Sequence, residues 1–80
     1  MPKLKRLSQK DVISILSAQR FEVSGQTGSH IKLKRISSFG TEVLIVPNHE
    51  EIKIGTLKKI FNQASKYISE EVLRNEFYSE

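Results

Sequence analysis

Between Gln9 and about Gln19, Val12, Ile13 and Leu16 fall on one side of a helical projection, with Ile15 at its margin and Lys10, Ser14, Ser17 and Gln19 left for water. The segment has a marked start. Ser8 stands at the N-cap, Asp11 takes the capping-box position, and Leu7 is placed to staple against Val12. The period then changes to two. Phe21-Glu22-Val23-Ser24 alternates, Gly25 to Ser29 carries turn chemistry, and His30 to Ile36 alternates again. Ser37-Ser38-Phe39-Gly40 supplies a second turn, and Thr41 to Val46 is a β-branched run closed by Pro47. These segments predict a three-stranded antiparallel meander. Beyond the loop from Asn48 to Ile54, the spacing of Leu57, Ile60, Phe61, Ala64 and Ile68 predicts a second amphipathic helix capped at Thr56 or Gly55. Ser69 followed by Glu70 and Glu71 opens a short third helix, with Val72, Leu73 and Phe77 to pack and a tail beyond Phe77 expected to fray.

The order α-β-β-β-α-α implies an α+β fold in two layers, with helices on one face of the sheet and the other face open to water. With 80 residues and no internal repeat or linker, the chain reads as one domain over 1–80, its core at about 7–68 and a C-terminal helix at about 69–78. There is no cysteine, so neither disulfides nor a Cys-containing zinc site is available, and packing must supply the stability. No stretch approaches the roughly 20 apolar residues of a membrane span, and the basic N-terminus has no apolar signal core, so a cytoplasmic location is expected. Thirteen Lys and Arg against nine Asp and Glu give +4, with the acids gathered toward the C-terminus. The body is therefore more basic than the total, which favours a polyanionic partner, nucleic acid above all.

Strand alternation decides what the open face carries. If Ile31 and Leu33 point to the helices, His30, Lys32 and Lys34 point outward together. An imidazole in line with two ammonium groups suits an RNA phosphodiester: the 2′-hydroxyl must lose a proton, the leaving 5′-oxygen must gain one, and phosphoryl charge must be stabilised. Gly28 would let the backbone approach phosphate closely, and the Ser29 hydroxyl could bond to it. Lys58 and Lys59 lie at the start of the second helix, where an anion is favoured. His49, in VPNHEEI, is a secondary candidate for acid catalysis or substrate positioning. Each feature also has a plain structural reading: a tolerated surface histidine, solvated lysines, a turn. If Val43 and Ile45 point inward, Leu44 and Val46 lie on the open face and invite a covering partner. No Cys nucleophile, HExxH helix or GxxxxGK[ST] loop is present, and two histidines make a poor zinc site, so neither a metal nor another cofactor is expected.

LSQKDVISIL, FEV, GSHIKL, VPNH and GTLKKIFNQA, in this order and spacing, resemble the HicA toxins, also called YcfA-like proteins, of toxin-antitoxin pairs. The resemblance runs along nearly the whole chain. It implies a double-stranded-RNA-binding-like fold and an mRNA interferase whose catalytic histidine is the one in Gly-Ser-His, here His30. It also implies a HicB-type antitoxin that covers the active site, with mRNA as substrate and no membrane or small-molecule partner. A non-catalytic RNA-binding module of the same fold is the alternative. Around Gln26 the family often carries a basic residue where this chain has Gly25 and Thr27. The Gly usual after Gln-Ala is replaced by Ser65-Lys66-Tyr67, which is expected to extend the second helix.

Overall fold

A computed structural model describes residues 3–79. Its elements run β1 (Lys3–Leu4), α1 (Gln9–Ala18), β2 (Glu22–Thr27), β3 (His30–Ser37), β4 (Gly40–Pro47), α2 (Ile54–Ala64), α3 (Glu70–Phe77) and β5 (Tyr78–Ser79). The α+β architecture is the expected one, with an antiparallel sheet in the order β2-β3-β4. The capping box is formed in full: the Asp11 amide donates to Ser8 Oγ at 3.1 Å and the Ser8 amide to Asp11 Oδ2 at 3.0 Å. α1 ends without a glycine. Arg20 takes the left-handed conformation at φ 70°, the Phe21 amide reaches back to the Leu16 carbonyl and the Arg20 amide to that of Ser17. This is the Schellman pattern, closed over the buried pair Leu16 and Phe21.

Two tight turns set the register of the sheet. Thr27 pairs with His30 around Gly28-Ser29, and Gly28, at φ +58°, supplies the positive φ that a type II′ turn needs at its first central position. Ser37 pairs with Gly40 around Ser38-Phe39, so Leu33 faces Leu44 and Ile31 faces Val46. Directly paired residues share a face. Leu44 (1 % exposed) and Val46 (0 %) are therefore core, and it is Val43 and Ile45 that turn outward. The condition for Leu44 and Val46 to lie on the open face, Val43 and Ile45 pointing inward, is not met, because the register imposed by the Ser38-Phe39 turn sets Leu44 and Val46 opposite the buried Leu33 and Ile31.

Ile31, Leu33, Leu44 and Val46 pack against Val12 and Leu16 of α1, Leu57, Ile60, Phe61 and Ala64 of α2, and Leu73 and Phe77 of α3, in one apolar cluster. Three further boundaries differ from expectation. α2 starts at Ile54 with Lys53 as N-cap, two or three residues earlier than a Gly55 or Thr56 cap would allow. It ends at Ala64, so Ser65-Lys66-Tyr67 does not prolong it; these residues turn back instead, with the Tyr67 and Ile68 amides both donating to the Ala64 carbonyl. Tyr78 and Ser79 do not fray: β5 pairs antiparallel with β1, Leu4 opposite Tyr78, and the Lys5 amide donates to the Phe77 carbonyl at 2.8 Å, while Glu80 lies outside the described residues. Among the described residues, no helix is long and apolar enough to cross a membrane.

Candidate nucleic-acid interface

His30 opens β3 immediately after the Gly28-Ser29 turn. Its cross-strand neighbours are Thr27 on one side and Pro47 on the other. Along β3, His30, Lys32, Lys34 and Ile36 are exposed, while the alternate Ile31 and Leu33 are buried, as the period-two reading required. Neither Lys32 nor Lys34 forms an ion pair among the described residues; the two ion pairs there are Arg35–Glu42 and Arg74–Glu70. Gly25 of β2 lies opposite Lys32, and a one-residue bulge at Ser24 separates it from Val23. The single carboxylate paired with this row is Glu22, across from Lys34.

The segment after β4 is fastened to the His30 turn. The Asn48 amide donates to the Ser29 carbonyl at 2.6 Å, and the Gln9 side chain donates to Asn48 Oδ1 at 2.6 Å. The Gln9 amide in turn donates to the His49 carbonyl at 3.3 Å. The start of α1, the β2-β3 turn and the end of β4 thus form one hydrogen-bonded corner that carries both histidines. From there the Ile52 amide donates to the Leu7 carbonyl, and the buried Ile52 side chain pins the loop to the core before α2 begins.

A groove of about 560 Å³ lies at this corner. The sheet contributes His30, Ile45 and Pro47; the loop contributes His49, Glu51, Ile52 and Lys53; α2 contributes Thr56, Lys59, Ile60 and Gln63. Of the residues marked in the sequence, His30, His49 and Lys59 meet here. Lys32 follows on the sheet. Lys34 lines a second groove with Arg20, Glu22 and Tyr67 at the other end of β3. Lys58 is exposed but does not line the groove. Gly28 and Ser29 shape the turn, and it is the Ser29 carbonyl that is engaged, by Asn48. Lys53 and Thr56 escape a sequence reading as groove residues because a cap at Thr56 or Gly55 places the start of α2 too late, and Gln63, in its last turn, carries no sequence signal for the groove. That first turn has no side-chain cap and no acidic residue, so the positive end of the helix is uncompensated close to Thr56. No set of three or more His, Cys, Asp or Glu among the described residues is disposed to hold a metal.

Residues 10–65, from the first turn of α1 to the end of α2, match the family model of the HicA toxin of bacterial toxin-antitoxin systems. The chain belongs to the HicA toxin family. It is thereby the toxin half of a toxin-antitoxin pair, with a cognate antitoxin, HicB, as its partner. The HicA match spans both histidines and the Lys58-Lys59 pair, and it stops short of α3 and β5. No curated protein and no solved structure matches the chain.

Proposed function

We propose that this HicA protein is a metal-independent endoribonuclease, an mRNA interferase, in which His30 moves the proton at the attacking 2′-hydroxyl. The observation that carries this reading is the placement of His30: exposed, at the head of the Lys32-Lys34 row, and in the same groove as Lys59. Lys59, with the first turn of α2 behind it, offers positive charge for the phosphoryl oxygens at the site of cleavage. Lys32 and Lys34 hold flanking phosphates, and Lys58 extends the track around α2. Gly28 and Ser29 keep the turn low enough for the RNA backbone to pass. Imidazole and ammonium groups between them meet the requirements of phosphodiester transfer to the 2′-oxygen, so no metal is called on. The HicB antitoxin, on this reading, silences the toxin by covering the same face, where Ile45 and Pro47 border His30.

Incubating the purified protein and its His30→Ala variant with a defined RNA, with and without EDTA, tests the proposal. Wild type is expected to cut in EDTA, and His30→Ala to be slower by roughly 10²–10⁴-fold, the usual worth of a positioned acid or base. Binding of the same RNA should persist in the variant. A His30→Ala protein that cuts as wild type does defeats the assignment. Salt-sensitive RNA binding by wild type without any cleavage would instead favour a non-catalytic binding module.

A further inference from the structure

We infer that His49 is the second catalytic residue of this site, the general acid that protonates the leaving 5′-oxygen while His30 acts as base; this rests on the nuclease reading above. The requirement comes from the reaction. As the 2′-oxygen attacks phosphorus, the P–O5′ bond breaks on the opposite side, so a base seated at the 2′-hydroxyl cannot also reach the departing oxygen. Another proton carrier is needed across the phosphate. Imidazole is the side chain that exchanges protons freely near neutrality, and the chain has only two.

The fold brings those two into one groove, 19 residues apart in sequence but joined through the corner described above. Pro47, two residues before His49, is the cross-strand partner of His30. The Asn48 amide is bound to the carbonyl just before His30, and the His49 carbonyl is held by the Gln9 amide. Backbone bonds thus fix the base of each imidazole relative to the other, while both side chains remain exposed to an entering strand. Lys53 and Lys59 face the same space against one carboxylate, Glu51, which leaves a net positive lining for the phosphate between them.

In the step so defined, the O2′–P bond forms as the 2′-hydroxyl proton passes to His30, and the P–O5′ bond breaks as a proton from protonated His49 passes to O5′. The products are a 2′,3′-cyclic phosphate and a 5′-hydroxyl, and water restores both histidines. A substrate with sulfur in place of the bridging 5′-oxygen separates the roles, because a thiolate leaves without a proton. His49→Ala and His49→Gln are expected to cut ordinary RNA roughly 10²–10⁴-fold more slowly and the sulfur-bridged RNA at close to the wild-type rate, whereas His30→Ala fails on both. Circular dichroism should show both His49 variants folded, since the bonds at residue 49 are made by its backbone. The inference is overturned if the folded His49 variants cut ordinary RNA like wild type, or are slowed equally on both substrates. A His30→Ala protein active on both substrates, or a wild type that cuts neither, overturns the underlying reading itself.

Discussion

The two faces of β3 use positive charge in opposite ways. Arg35, one residue after Lys34, points toward the helices, and every nitrogen of its guanidinium is engaged. Nε donates to Glu42 Oε1 at 2.7 Å, one terminal nitrogen to the Gln19 carbonyl at 3.0 Å and the other to the Tyr67 carbonyl at 2.9 Å. The group also lies 4.7 Å from the centre of the Phe21 ring. It ties the end of α1, the turn after α2 and β4 to the middle strand. Lys32 and Lys34, on the other face, have no ion-pair partner among the described residues. A planar fork with five donors suits a fixed set of carbonyls, and a flexible ammonium suits a phosphate that comes and goes. The difference teaches that charge on this strand is structural where it is half-buried and partnered, and available for ligand where it is exposed and free.

The sharpest way to break that comparison is Arg35→Met, which keeps the stem and removes the fork. Glu42 would be left largely shielded without its partner, and two carbonyls would lose their donors. A loss of about 2–4 kcal/mol in urea unfolding is expected, somewhat under the range for a fully buried pair because both side chains retain some exposure. RNA affinity of the protein that remains folded should be unchanged. Lys32→Ala and Lys34→Ala should do the reverse. Stability is expected to stay within about 0.5 kcal/mol, while RNA affinity falls and the log–log salt slope becomes shallower by about one for each lysine. Fluorescence anisotropy across a salt series reads both quantities. Equal effects of Arg35→Met and Lys32→Ala on the salt slope of binding would erase the distinction.

Why the outward lysines were legible in the sequence and Arg35 was not follows from how each role is specified. The period of two placed His30, Lys32 and Lys34 together, because one strand settles that by itself. The same parity puts Arg35 inward with Ile31 and Leu33, but its partners come from Gln19, Glu42 and Tyr67, which only the tertiary fold assembles. Glu42 was within reach of a register count. Once Ser38-Phe39 is taken as a two-residue turn, 35 must face 42, and the same count would have put Leu44 and Val46 in the core. The groove was half visible: His30, His49 and Lys59 could be marked singly, yet their meeting depends on Asn48 binding the Ser29 carbonyl, a contact with no sequence signature. The left-handed Arg20 that follows the Gln19 C-cap was hidden because that position usually advertises itself with glycine.

A fourth charge tests whether engagement, rather than burial, is what separates structural from free groups. Asp11 is exposed, yet the Ser8 amide, and after it the Ser8 hydroxyl, stabilise its charged form and hold its carboxyl below the ordinary 3.8. A carboxyl whose pKa is lowered by folding adds stability at every pH above its unfolded value, and that contribution disappears as pH falls through the lower folded one. Asp11→Asn should therefore melt at a lower temperature than wild type at neutral pH, by a smaller margin than Arg35→Met. The gap should stay constant down to about pH 4, near the ordinary value, and then close as the wild-type carboxyl takes up its proton. Paired thermal melts from pH 7 to pH 2 give the curve. A gap that persists unchanged to the acid end would show that the Ser8 contacts do not depend on the charge, and the lack of a gap at any pH would place Asp11 with the free lysines rather than with Arg35.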